Sequence, residues 1–266
     1  MSSASGADAD GIKFAGTGHI IRGNYIHDLT WADTGNNAYP SDPDRNPHID
    51  GMQSCCRQTG NILIEKNLIS LKDPGGSYTQ GIYVDDATFT NINCVNNIVE
   101  VIQPINYQNV TTGTIYNNTL IPGTPEQSSS NAIQVGSSSD IKVKNNLIYE
   151  RVNDPWHFYL YIASSSGLDV GYNQYYRTGS TTNGPYTNDL DADAMFVDPG
   201  NILGADGLPF TADDGLVLQG DSPAIDSGAD LSVDTDVLGN SRPLLNGYDR
   251  GAYEYRPHSI DLHRQP

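Results

Sequence analysis

An asparagine recurs at one place in six similar stretches of the chain, and this recurrence restricts the fold more than any other feature. The stretches are IIRGNYI, ILIEKNLI, INCVNNIV, TIYNNTLI, IKVKNNLI and LDVGYNQY, and their asparagines are Asn24, Asn67, Asn97, Asn118, Asn146 and Asn173. Three residues before them stand Ile21, Ile64, Cys94, Ile115, Val143 and Val170. Two residues after them stand Ile26, Ile69, Val99, Leu120, Ile148 and Tyr175. Apolar residues at alternate positions, with a polar turn inserted, read as short strands joined at a tight corner. The steps between the asparagines are 43, 30, 21, 28 and 27 residues. A unit of this size cannot bury its own apolar face, so successive units must stack. An asparagine at the same corner of every unit predicts a ladder in which side-chain amides bond from coil to coil and satisfy turn backbone groups.

A second column precedes the first within each unit. It reads GIKFAG (11–16), GMQSCC (51–56), GIYVDD (81–86), INYQNV (105–110), AIQVGS (132–137) and YLYIAS (159–164). Alternation places Ile12, Met52, Ile82, Ile133 and Leu160 inside. It places Lys13, Gln53, Tyr83, Asn106, Gln134 and Tyr161 outside, with Cys55, Asp85, Gln108 and Gly136 two steps further along. The outer stripe is therefore made of amides and tyrosines with one lysine and one aspartate. Spaced at about 4.8 Å per coil, such groups suit a sugar chain, and they equally suit an ordinary polar sheet face.

The repeats resemble those of the right-handed parallel β-helix family, of the pectate-lyase-like kind. The resemblance covers about residues 10 to 180. It implies an all-β, single-stranded right-handed solenoid whose long sheet faces the ligand. Residues 190 to 255 carry DADAMFVDPG, GADGLPFTADDGLVLQGDSPAIDSG, DVLGNSRP and YDRGAYEY. This SPAIDSG…GAYEY pattern resembles the C-terminal segment of many secreted bacterial β-helices. It implies a cap over the last coil, since an open coil end is an exposed edge. The expected division is 1–190 for the coils, 191–255 for the capping segment of the same domain and 256–266 for a tail. The resemblance also implies an extracellular or cell-surface location. The N-terminus of the sequence shows no basic region followed by an apolar run, so no signal peptide is read in it.

Charge narrows the partners. Thirty-two acidic residues against 14 basic ones give a net charge of −18. Nucleic acid needs clustered Lys and Arg, so it is not an expected partner. No run of about 18 apolar residues is present, so no membrane span is expected. Such a surface suits a soluble protein in salty water, or one that binds divalent cations. A monomer is expected. Of the three cysteines, Cys55 and Cys56 adjoin and Cys94 stands apart, with no zinc spacing. They read as small packing residues, with a bond from Cys94 to one of the pair as the alternative.

Two long steps locate the candidate site. The extra residues of the first two steps fall in TWADTGNNAYPSDPDRNPH (30–48) and LKDPGGSYTQ (71–80), both just before a ligand-side strand. Long loops on a rigid scaffold commonly carry binding groups. The first ends in HIDGMQ, which resembles a turn-and-strand signature of many β-helices. His48, Asp50, Tyr83 and Asp85 are thus the candidate catalytic residues, and Lys13, Gln53, Arg57, Gln108, Gln134 and Tyr161 the candidate substrate-binding ones. In a uronate lyase or epimerase a base removes the C5 proton while the carboxylate is neutralised. His48, Tyr83 or Lys13 fits the base, and Arg57 or bound Ca²⁺ the neutraliser. In a glycoside hydrolase, Asp50 and Asp85 on adjacent coils would flank the bond. In a glycan-binding or adhesin-like protein, none of these groups reacts. His19 and His27 read as structural. Asp206, Asp213 and Asp214 lie near glycines and are candidate oxygen ligands for Ca²⁺, without the spacing of an EF-hand loop.

Overall fold

The computed structural model describes residues 10–30, 49–54, 57–71, 79–85, 87–123, 131–181 and 186–257. The chain winds into a right-handed parallel β-helix with three walls. Strands Ile12–Lys13, Ile49–Ser54, Thr79–Val84, Gln103–Gln108 and Ile133–Gly136, together with the end of Leu147–Ala163, form the first wall. The second wall comprises Gly16–Thr17 with Ile20–Arg22, then Thr59–Glu65, Phe89–Val95, Val110–Tyr116, Ser139–Lys144 and Asp169–Gly171. The third is built from Tyr25–His27, Leu68–Ser70, Ile98–Val101, Thr119–Pro122, the start of Leu147–Ala163, Gln174–Thr181 and Leu190–Asp191. The 17-residue strand Leu147–Ala163 belongs to two walls and joins the first and third into one 12-stranded sheet. Every ladder within the walls is parallel.

The interior is filled from all three sides. Met52, Ile82, Ile105, Ile133 and Leu160 stack from the first wall, and all are fully buried. Ile64, Cys94, Ile115 and Val143 stack from the second, and Ile69, Val99, Leu120 and Ile148 from the third. The interior is narrow. A Cβ added to Gly81 would sit 2.3 Å from Val99 Cγ1, and one added to Gly51 would sit 2.5 Å from Ile69 Cγ2. At these two strand positions only glycine lets the first wall approach the third.

The asparagine ladder forms as the spacing predicts. Oδ1 of Asn67, Asn97, Asn118, Asn146 and Asn173 each accepts the backbone N–H of the ladder residue one coil earlier. The same oxygens accept from Nδ2 of that earlier asparagine. From Asn67 onward each Nδ2 also donates to a carbonyl of the preceding coil, for example Asn97 to Ile64 O at 2.9 Å and Asn118 to Cys94 O at 3.1 Å. The side-chain amides of Asn67, Asn97, Asn118 and Asn146 are thus fully paired. The residue immediately before each ladder position is left-handed: Lys66, Asn96, Asn117, Asn145 and Tyr172 have φ of 54°, 54°, 51°, 57° and 59°. This explains the doubled asparagines, because the first accepts the left-handed corner and the second builds the ladder.

The ladder ends on Asp189. Its Oδ1 accepts Asn173 N at 2.8 Å, and its Oδ2 accepts the Tyr159 hydroxyl. Burial raises the Asp189 carboxyl pKa above its usual value. Arg250 from the C-terminal segment closes this rung by donating to Asn173 O and Asn188 O at 2.8 and 2.9 Å.

The C-terminal segment does more than close an end. It runs back along the outside of the third wall and encloses a second apolar core. Leu68, Ile98, Ile121 and Leu147 project outward from the wall and meet Phe196, Leu216, Leu218, Val237 and Tyr253. Side chains of the left-handed corner residues dock it: Lys66 Nζ to Thr235 Oγ1, Asn96 Nδ2 to Thr235 O, Asn117 Nδ2 to Asp249 O, and Asn145 Nδ2 to Ala229 O. Arg242 is buried there against Glu254 at 2.6 Å, and it also bonds Asn96 Oδ1.

Candidate functional site

The outward stripe of the first wall is one continuous column. Lys13 pairs with Gln53, Gln53 with Tyr83, Tyr83 with Asn106, Asn106 with Gln134, and Gln134 with Tyr161. One residue per coil at about 4.8 Å makes a row about 24 Å long. Lys13 is exposed and ion-paired with Asp10 at 3.2 Å. Tyr83, Gln134 and Tyr161 are half-buried, whereas Gln53 and Asn106 are only 3% and 6% exposed.

The amides bond among themselves. Asn106 Nδ2 donates to Gln80 Oε1 at 2.7 Å, and Gln108 Nε2 to Asn106 Oδ1 at 2.9 Å. Gln103 Nε2 donates to Gln134 Oε1 at 2.9 Å. Gln108 lies over Gly136 of the next coil, where an added Cβ would fall 2.1 Å from its Oε1. Gln80 and Gln103 therefore belong to the face, although strict alternation from Gly81 does not reveal them. The inward pair Gly51–Met52 puts Asp50 and Gln53 three residues apart on one face, and Gln80 and Tyr83 likewise. Two consecutive inward residues hide the earlier outward position. The buried acceptors Gln53 Oε1, Thr79 Oγ1 and Asn131 Oδ1 on this wall find no hydrogen-bond partner among the described residues.

The candidate catalytic residues separate. The Tyr83 hydroxyl donates to Asp85 Oδ2 at 2.5 Å, the length of a charge-assisted O–H···O⁻ bond, and both side chains are half-buried. Asp50 is fully buried, and its Oδ1 accepts Gln80 N at 3.2 Å. Asp50 stands opposite Gln80, five residues before Asp85 in the register. On the order of 15 Å of strand therefore lies between the two carboxylates, more than the roughly 5–9.5 Å that a glycosidase pair uses. The register does not assemble that pair. Arg57 is exposed just past Ser54, whose carbonyl accepts Asp85 N at 3.1 Å, so Arg57 flanks the Tyr83–Asp85 end of the face. His48, Cys55 and Cys56 lie outside the described residues. His19 bonds Ala15 O through Nε2 at 2.9 Å, and His27 projects from the third wall, away from this face.

The aspartates proposed for calcium serve turns. Asp213 Oδ2 accepts the N–H of Ala205 and Asp206, its Oδ1 accepts Thr211 Oγ1, and these donors lower its pKa. Asp206 Oδ1 accepts Leu208 N. Asp214 is buried and accepts the Tyr253 hydroxyl at 2.7 Å, and burial raises its pKa. Among the described residues no three His, Cys, Asp or Glu side chains gather to hold a metal ion. Cys94 is a free, buried thiol in the core, pushed up to about 12 by burial. Its Sγ accepts the Tyr107 hydroxyl at 3.0 Å.

In comparison with known proteins, no family model matches the chain and no curated protein matches it.

Proposed function

We propose that the outer face of the first wall takes an extended polysaccharide along its column of amides and tyrosines, and that the Tyr83–Asp85 end acts on it as a lyase or related modifying site. The pectate-lyase-like resemblance belongs to this proposal. The observation that carries it is the in-register row Lys13–Gln53–Tyr83–Asn106–Gln134–Tyr161. Amides offer both donors and acceptors to ring hydroxyls, and tyrosine faces suit the apolar side of a sugar ring. The unpartnered Gln53 Oε1 would gain a donor from a hydroxyl.

In the lyase reading Tyr83 passes its phenolic proton to Asp85, already its hydrogen-bond partner, and as the phenolate takes the C5 proton. The C4–O bond then breaks as the C4=C5 double bond forms, the departing glycosidic oxygen takes the proton back from the Tyr83 hydroxyl, and Asp85 returns its proton to the phenolate. Exposed Arg57 and Lys13 are the cations that would neutralise the uronate carboxylate. The second reading is a glycan-binding face without turnover. Its supporting observation is that the column beyond Tyr83 consists of Asn106, Gln134 and Tyr161, which offer no carboxylate or ammonium.

The test is incubation with alginate, pectate and neutral plant and algal glycans, with and without Ca²⁺, reading absorbance near 235 nm, new reducing ends and polymer NMR. Unsaturated products lost in Tyr83→Phe and Asp85→Asn support the lyase, and altered residues without cleavage support an epimerase. Reducing ends without absorbance would replace it with a hydrolase. Binding without change in any readout would leave the non-catalytic reading.

A further inference from the structure

A cleft opens on the outer side of the third wall, where its first two coils meet the C-terminal segment. It encloses about 340 Å³ and runs from Tyr25–Thr30 and Ser70–Leu71 to Asn201–Leu203. Period-2 alternation in the strand Tyr25–His27 buries Ile26 in the core and turns both aromatic rings outward. Those rings stack with centroids 4.1 Å apart at 23°. His27 Nδ1 bonds Asp28 Oδ2 at 2.7 Å, which fixes the imidazole and directs its Nε2 away from that partner. The stacked pair keeps one outer ring face for a ligand, with a polar edge beside it.

The opposite side of the cleft is braced. Ser70 Oγ donates to Glu100 Oε2 at 2.6 Å, so its oxygen remains an acceptor. Glu100 is ion-paired with Arg151, and Arg151 donates twice to Pro199 O, at 3.0 and 2.8 Å. That link ties the loop carrying Asn201 to the wall. Asn201 Nδ2 is bonded to Gly204 O at 2.7 Å, which leaves its amide oxygen for a donor. Burial, with the Asp28 and Glu100 carboxylates nearby, raises the Tyr25 pKa, so the phenol stays protonated and donates. Leu71 and Ile202 supply apolar surface beside these groups.

We infer that this cleft is a binding site for a neutral mono- or disaccharide. An aromatic platform for a sugar's C–H face, acceptors from Asp28, Ser70 and Asn201, and a donor from Tyr25 match a ring that carries hydroxyls at its rim. The exposed Asp28 carboxylate disfavours anions, and the polar rim disfavours a purely apolar guest. The volume lies at the small end of ligand sites, enough for about one or two sugar rings. The inference stands apart from the first-wall reading, because it uses none of that face's residues.

The test is NMR titration of the full chain with D-glucose, D-galactose, D-mannose and a β-1,4-linked disaccharide of each, following the His27 ring signals and saturation transfer to the sugar. A saturable shift of His27 is expected with at least one of these sugars. Tyr25→Ala should weaken it by at least about tenfold, as loss of an aromatic anchor does. Asp28→Asn should weaken it severalfold; this side chain is 90% exposed and asparagine tolerates its φ of 58°, so the fold is not at risk. Tyr161→Ala should leave it unchanged. Absence of any saturable shift, or shifts indifferent to both cleft substitutions, would overturn the inference. So would loss of the His27 shift in Tyr161→Ala, which would put the sugar on the first wall.

Discussion

At the scale of single residues, the ladder asparagines are the most constrained positions in the chain. Asn118 accepts from Asn97 N and Nδ2 and donates to Cys94 O and Asn146 Oδ1. Replacing it with alanine leaves several buried partners unmade, each costing about 1–3 kcal/mol. Asn118→Ala is therefore expected to lower stability by about 3–5 kcal/mol in urea unfolding. Asn24→Ala, at the exposed first coil, removes only the donation to Asn67 and should cost about 1 kcal/mol or less. Equal losses at the two positions would contradict a ladder that gains strength from burial. The ladder was legible because one residue type recurs at one corner. The role of the preceding residue was not, because a left-handed φ at Lys66 or Tyr172 leaves no signature as plain as glycine's. Asp50 was legible as a loop-to-strand junction, but its complete burial was not, since Asp-Gly is ordinary turn composition.

At the scale of elements, the C-terminal segment behaves as an outer layer of the third wall. The doublets Leu68-Ile69, Ile98-Val99, Leu120-Ile121 and Leu147-Ile148 carry the signal for it. Consecutive apolar residues break the period of two and indicate a strand covered on both faces, one residue of each pair facing the interior and the other the outer layer. Two predictions concern this layer. Arg242→Ala leaves Glu254 buried without its partner and should cost about 3–5 kcal/mol, while a joint Arg242→Met, Glu254→Leu change should cost clearly less. A double-mutant cycle by chemical unfolding measures this. The second is a pH effect. Burial pushes the Asp249 carboxyl up to about 7, and Asp214 and Asp189 are also raised. A carboxyl held above its unfolded value binds its proton more tightly in the folded chain. Its contribution is complete below the unfolded value near 3.8 and is lost as pH rises through about 7. The thermal midpoint should consequently be higher at pH 5 than at pH 8, and Asp249→Asn should shrink that difference. An unchanged difference in the variant would assign the pH effect to other groups.

At the scale of the whole molecule, a straight scaffold repeats a polar residue once per coil beneath a net charge of −18. Charge and face together make a prediction about salt. Binding of a neutral glycan should be nearly indifferent to ionic strength, whereas binding of a polyuronate should strengthen as salt screens the repulsion, the reverse of attraction between opposite charges. Isothermal titration at low and physiological salt distinguishes the two. The face itself was readable in advance because its register follows directly from the repeat; the failure of Asp50 and Asp85 to meet was not, because sequence shows which coils are adjacent but not how far along each strand two side chains stand. The most direct test of the central claim is the affinity of the chain for oligosaccharides of increasing length, taken from whichever polymer it binds, alongside the variant Tyr83→Ala, Gln134→Ala, Tyr161→Ala. If a glycan lies along the first wall, affinity rises with each added ring until the row of about 24 Å is covered, and the triple variant loses that rise while remaining folded. An affinity independent of length, or a triple variant that binds like the parent, would contradict it.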